Sequence, residues 1–442
     1  MGWRRAAVIG LFALMIGLAF VHVGSDVARA QVGAKTITVD GDPSDWTGVN
    51  NNPNTGVVDA FEYIWNDSVG DDTGDGDYTY PYSGDLNRTG LFDIQELRIT
   101  ADAQKLYILI KIVNLSNTWS GSDGFSTVAA ILLIDTTLDG SGTLAARPNV
   151  NVAAGSGWEY WAKIGQTGWH AENAKVFDEA GNWAPIVNKG NSTQNSIEAS
   201  IPLAFIGKDG YSINNATWRF MFFLHSFDGG GPNGFRDVRA GQWCCEWQFG
   251  GGEDHGFDPQ ITDLAFNASQ AQQEAELASY TSSSPATIAS HADVTFGNVG
   301  FVPDTTSPTI SGVVASPTFN SANIDWSTDE IADTTVIWGT SPGSLTNIAS
   351  KNEFVTSHSV TLTSLLAQTT YYYRASSYDI AANGARTSVL SFTTAAAPPS
   401  NIAAWVGSTF TWQDSAGDDV GDGDYTYPQT GLVDWFGRAD LT

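Results

Sequence analysis

Cysteine is almost missing from this sequence: there are two among 442 residues, Cys244 and Cys245, side by side. Neighbouring cysteines could close only a strained eight-membered ring, so they read as small buried thiols rather than as a disulfide framework. Basic side chains are also scarce, with 20 Lys and Arg against 48 Asp and Glu and a formal net charge of −28. A surface that acidic repels nucleic acid and anionic lipid and attracts cations. Beyond the N-terminus no apolar run is long enough to span a membrane. Catalytic signatures are lacking too. The six histidines (His22, His170, His225, His255, His291 and His358) are scattered without HExxH or other paired spacing. There is no GxSxG elbow and no P-loop, and the turns DGGGPNG and FGGGED are not followed by helix signals. No catalytic residue is assigned.

What is present points to an all-β chain. Aromatic residues make up 12% of the sequence and only 15% is charged, so the polar surface rests on Asn, Ser, Thr and Gly, a composition that suits turn-rich sheets. Residues 1–30 read as a secretory signal peptide. Arg4 and Arg5 precede a long apolar run, and Ala28-Arg29-Ala30 offers small residues for cleavage. Cleavage would leave 17 basic and 47 acidic side chains, a net charge of −30, and a secreted or cell-surface protein without a membrane span. A retained anchor is the alternative.

Strand patterns follow. In LYILIKIV, Leu106, Ile108, Ile110 and Ile112 share one face, whereas VAAILLID (Val128 to Asp135) is apolar throughout and reads as buried on both faces. WEYWAKIG sets Trp158, Tyr160, Ala162 and Ile164 opposite Glu159, Trp161 and Lys163, which places Trp161 on the polar, exposed face. One helix is expected after Ser269, where Gln272 completes a capping-box pattern. DTTSP at 304–308 marks a boundary, and short strands at sandwich spacing continue to about residue 395.

The chain also repeats itself. WNDSVGDDTGDGDYTYP, Trp65 to Pro81, returns as WQDSAGDDVGDGDYTYP, Trp412 to Pro428, with 14 of 17 positions identical. The offset of 347 also carries Gly90 and Asp93 of GLFDI onto Gly437 and Asp440 of GRADL. The expected organisation is a large β-sandwich over 33–302, a second sandwich over 304–395, a linker at 396–402 and an incomplete copy of the first module over 403–442. In the first copy Asp67, Asp71, Asp72, Asp75 and Asp77 lie within eleven residues, interleaved with Gly70, Gly74 and Gly76. Glycine lets such a loop fold back so that several carboxylates share one spot, and a hard cation, Ca2+, would relieve their repulsion. The spacing is not that of an EF-hand. A solvated acidic turn without metal is the alternative, and Asp135 and Asp139 in IDTTLDGSG read as a hairpin turn with Asx bonding. Sugar rings stack on aromatic faces, and Trp161, Trp169 and Trp183 are the candidates for such contact.

The run D-x-x-GDD-x-G-x-G-x-Y-x-YP followed by G-x-FD resembles the C-terminal module of glucodextranase, also found in amylopullulanases. The likeness continues at SFDGGGPNGFRDV, EWQFGGGED and DPQITDL, and ITVDGDPSDW is similar to the start of family 9 carbohydrate-binding modules and DOMON-type sandwiches. Residues 305–395 resemble a fibronectin type III domain, with Trp326 on an early strand and Tyr371 or Tyr373 as the corner tyrosine. Together these resemblances imply a non-catalytic, calcium-stabilised modular protein whose partner is a polysaccharide or cell-surface glycan. The alternative is the accessory part of a modular glycoside hydrolase of the amylopullulanase or glucodextranase type. A haem-binding reading would need Met221 and His225 as axial ligands.

Overall fold

A computed structural model describes residues 31–398, apart from 83, 148, 228–233, 242–247, 254 and 255, together with the short strands Thr411–Trp412 and Tyr425–Thr426. Residues 1–30, where a signal peptide is expected, Cys244, Cys245 and Asp414 to Asp424 lie outside the described residues. The chain divides into two compact units, Met1–Asp304 and Thr305–Thr442.

In the first unit a six-stranded antiparallel sheet runs in the spatial order Thr55–Asp59, Glu62–Asn66, Ile94–Ala101, Lys105–Ile112, Ser196–Pro202, Val187–Asn191. Leu106, Ile108, Ile110 and Ile112 are fully buried, as their period-2 spacing requires. A second sheet of seven strands runs Trp183–Pro185, Lys175–Asp178, Tyr160–Ile164, Val128–Asp135, Thr217–Ser226, and both Asp263–Leu264 and Ala292–Thr295 pair with Thr217–Ser226.

The second sheet has no polar face over its central strands. Every residue of Val128–Asp135 and of Tyr160–Ile164 is buried. Ile131, Leu133, Trp161, Met221 and Phe223 form one core cluster with Val150, Val152, Leu277, Ala286 and Ile288. These covering residues come from the parallel pair Val150–Val152 and Ala286–Ile288 and from the helix Gln270–Leu277, which together lay a third layer over the sheet. This corrects the expectation for Trp161. Its neighbours Glu159 and Lys163 made that face look solvated, yet tertiary cover leaves the indole only 9% exposed. Burial pushes the Lys163 amine down to about 7, and the amine lies 4.4 Å over the Phe235 ring. Met221 and His225 are both buried on this sheet, with the imidazole packed 4.0 Å from the Phe235 ring.

The helix starts where its cap predicts: the Ser269 hydroxyl accepts from the Gln272 amide at 3.3 Å. At IDTTLDGSG, Asp135 accepts from the Leu138 amide at 2.8 Å and Asp139 from the Ser141 amide at 2.7 Å, the Asx bonding expected of a turn.

In the second unit, residues 310–393 form a six-stranded antiparallel sheet. Ala322–Gly339 pairs with Ile310–Pro317, Asn347–Leu362 and Thr370–Tyr378, and the last of these pairs with Gly384–Arg386 and Leu390–Thr393. ANIDWST and TTVIWGT lie on one 18-residue strand, Ala322–Gly339, whose register shifts between Ser327 and Thr334. Trp326 anchors the core and donates to Ser377 at 3.0 Å. Of the two candidate tyrosines, Tyr371 makes the corner: its hydroxyl accepts from the Leu366 amide at 2.9 Å. Of the repeated run, the described strands Thr411–Trp412 and Tyr425–Thr426 pair antiparallel.

Candidate metal centre and aromatic cleft

The acidic loop follows directly from the strand Glu62–Asn66. Its glycines do what the composition implies: Gly70, Gly74 and Gly76 all have positive φ, and at Gly74 the Tyr78 ring leaves no room for a Cβ. The loop is pinned from several sides. Tyr78 donates to the Pro259 carbonyl, Tyr80 donates to Asp72, and Gln273 of the helix donates to the Asp71 carbonyl at 2.6 Å.

The five aspartates do not gather at one point. Asp67 and Asp71 come together with Asp263, one carboxylate oxygen from each lying within 4.8 Å of the others and all three residues buried. Asp93 adjoins them. It accepts from the Gly70 amide at 2.7 Å, and its charge acts on both Asp67 and Asp263. Asp72 is turned to Tyr80, Asp75 accepts from Tyr280 at 3.2 Å, and Asp77 is exposed.

Asp263 is delivered by the strand Asp263–Leu264, and its second oxygen accepts from the Ile94 amide at 2.6 Å. Asp67 accepts from the Trp65 indole at 3.1 Å. What remains is a set of buried oxygens with no protein donor: Asp67 Oδ2, both oxygens of Asp71, and Asp93 Oδ1. Buried polar atoms almost always have partners, and charged ones most of all. Burial and mutual repulsion drive the carboxyls upward. Asp67 and Asp263 stand well above the usual carboxylate range, Asp71 is pushed up to about 6 and Asp93 up to about 7, burial being the largest cause in each case. An all-oxygen set with free lone pairs pointing inward fits a hard divalent cation.

Sequence reasoning missed Asp93 and Asp263 as partners of the loop. Asp93 left a signal, because it recurs as Asp440 at the same offset as the acidic run. Asp263 left none, since only the fold brings it near.

The candidate aromatics sit elsewhere. Trp161 and Trp183 both pair in register with Phe177, so three rings line up across adjacent strands. Trp161 stacks on Phe177 at 4.3 Å and 11° between planes, and the Arg147 guanidinium lies 5.4 Å over its ring. The Lys175 amine lies 3.6 Å over Trp183. Trp169 is not part of this row. It is half-buried and packs against Trp119 at 5.9 Å and Phe227 at 5.6 Å.

A cleft of about 480 Å³ opens beside the row. Trp158, Trp161, Phe177 and Leu133 supply its apolar walls, and Arg147, Glu172, Asp178 and Glu179 its polar ones. Arg147 pairs with Glu172 at 2.5 Å, and Glu179 accepts from Thr143 at 2.7 Å. The cleft thus combines flat rings with charged donors and acceptors, the lining that small polar ligands require.

Residues 63–290, just over half of the chain, match the family model described as the C-terminal binding-module, SLH-like, of glucodextranase. The chain belongs to that family. The span of the glucodextranase-type module takes in Asp67, Asp71, Asp93 and Asp263 and every residue named around the cleft. No curated protein matches the chain.

Among solved structures, the sensor domain of the anti-sigma factor RsgI4 in Pseudobacteroides cellulosolvens is 21% identical, covering 21% of this chain and 92% of that one at a TM-score of 0.16. The fibronectin type-III domain of human fibronectin type III domain containing protein 3 is 17% identical, covering 22% and 88% at 0.16. The chicken CNTN1 FN1-FN3 domains are 9% identical, covering 65% and 62% at 0.19.

Proposed function

We propose that the first unit is a non-catalytic, calcium-stabilised module that binds polysaccharide or cell-surface glycan, in a protein exported from the cell. The observation that carries this reading is the cleft. It sets an aromatic row, Trp161, Phe177 and Trp183, beside Arg147, Glu172 and Glu179. A sugar presents apolar C–H faces and a rim of hydroxyls that both donate and accept. Rings at the wall suit the first, while a guanidinium and carboxylates suit the second. The family's description as a binding module agrees with a ligand-holding role.

Ca2+ is the cation proposed for Asp67, Asp71, Asp93 and Asp263, with Asp72 in support through Tyr80. It would tie the loop after one strand to the start of another. The four unpartnered buried oxygens support this assignment. Export favours calcium because sites with affinities of roughly 0.1–1 mM fill outside the cell. Among the described residues no helix is long and apolar enough to cross a membrane.

The test is retention of the purified chain on immobilised glucans, with Glu172→Gln and Arg147→Ala as controls. Binding that both substitutions leave unchanged rejects the cleft. A role as the accessory part of a glycoside hydrolase is the second reading, favoured by the name of the family.

A further inference from the structure

The second unit carries two arginines that the reading above does not use. Arg374 and Arg386 lie on the paired strands Thr370–Tyr378 and Gly384–Arg386, where Ser376 stands opposite Arg386. Arg374 is two residues from Ser376, so the two arginines share one face as diagonal neighbours. The other face is the core, with Tyr373 and Ala375 buried on it.

A hollow of about 250 Å³ opens on the arginine face, lined by both arginines with Ile337, Leu345, Pro342 and Val389. Arg386 is oriented by its neighbours: it donates to Ser376 at 3.3 Å and to the Tyr378 hydroxyl at 2.9 Å, and it lies 5.8 Å over the Tyr378 ring. Arg374 has no such support, and its Nε is buried without an acceptor. Among the described residues no carboxylate forms an ion pair with either guanidinium.

That arrangement is unusual in a chain with 48 acidic and 20 basic side chains. Like charges on diagonal neighbours oppose each other, and a buried N–H without a partner adds to the cost. One oxyanion answers both, because the planar guanidinium matches carboxylate and sulfate with paired N–H donors. The remaining lining is apolar and short. It has room for one ring and its anionic substituent.

We propose that this hollow binds the carboxylate or sulfate group of an acidic saccharide, with Arg374 and Arg386 gripping the oxyanion and Ile337, Leu345 and Val389 beneath the C–H face of the ring. The site belongs to the second unit and does not depend on the cleft of the first.

The test is calorimetric titration of the full chain with a glucuronate-containing oligosaccharide, a sulfated one, a neutral one and an acidic peptide. At least one acidic saccharide is expected to bind tenfold or more tightly than the neutral one, and the tighter of the two identifies the oxyanion. Raising the salt should weaken that binding. Arg374→Gln and Arg386→Gln should each weaken it at least tenfold, and Arg374→Lys, which keeps the charge and guards against a misfolded variant, should weaken it less. Glu172→Gln in the cleft should leave it unchanged, so failure here and failure of the cleft reading are told apart. Equal affinity for the neutral saccharide, indifference to the arginine substitutions, or a preference for the acidic peptide would each overturn the proposal.

Discussion

Asp67 and Asp263 stand 196 residues apart in the chain, yet they approach within 4.8 Å through one carboxylate oxygen from each. The strand Glu62–Asn66 ends just before one and the strand Asp263–Leu264 begins at the other. Two buried acids meeting where strands from distant parts of the chain end are costly without a partner of opposite charge. The first two predictions follow from that contact.

Calcium should raise the melting temperature of the purified chain and EDTA should lower it. Ligand at a hundredfold excess over its Kd stabilises by about 2.7 kcal/mol, which in a unit this large corresponds to roughly 5 °C. Asp263→Asn should abolish the calcium response. Scanning calorimetry of both proteins with and without calcium checks this, and an undiminished response in the variant would falsify the centre.

The loop aspartates should divide into two classes. Asp71→Asn replaces one of two buried oxygens that have no protein donor with an amide nitrogen and removes the charge, and should erase the calcium effect. Asp77→Asn alters an exposed side chain and should leave it intact. If the two substitutions weaken calcium binding equally, the ligands are the sequence-adjacent aspartates rather than those the fold assembles.

Lys163 predicts a pH dependence. Burial lowers its amine from 10.5 in the unfolded chain to about 7 in the folded one. Between those values the unfolded chain holds a proton that the folded chain does not, so this group makes stability rise with pH from about 7 to 10.5. Below pH 7 both states are protonated and the full cost of the buried charge remains. Lys163→Met should therefore gain most at pH 7, and its advantage should shrink by about 2 kcal/mol by pH 9. Denaturant unfolding at the two pH values measures this; an advantage independent of pH would count against a buried charge.

In the cleft, Trp161→Ala is a poor test of binding, since truncating a core tryptophan costs about 3–5 kcal/mol. Glu172→Gln and Glu179→Gln keep the shape and should leave melting within about 2 °C of the parent. Each should weaken glycan retention several-fold, as read by affinity electrophoresis.

Tyr371→Phe in the second unit removes the acceptor for the Leu366 amide at 2.9 Å. The expected loss is about 1 kcal/mol. Tyr373→Phe should cost less if Tyr371 alone ties the corner, and differential melting of the two variants decides it.

Much of the architecture was legible in the residues. Period-2 spacing announced the strand Lys105–Ile112, the unbroken apolar run announced Val128–Asp135, and Ser269 with Gln272 marked the helix start. These signals are local, because side-chain alternation and capping act over a few residues. The exposed face assigned to Trp161 failed for the complementary reason. Whether Glu159, Trp161 and Lys163 meet water depends on what lies over the sheet, and Ala286 and Ile288, which pair beside Val150 and Val152, come from a segment far along the chain from that strand.

The same division holds for the acidic run. By itself the sequence determined that a glycine-rich loop would crowd carboxylates together, since positive φ and short spacing are local properties. Only the tertiary structure decided which carboxylates meet. It turned Asp72, Asp75 and Asp77 aside and brought in Asp93 and Asp263, because strand pairing across the sheets, not distance along the chain, sets which oxygens share a buried point.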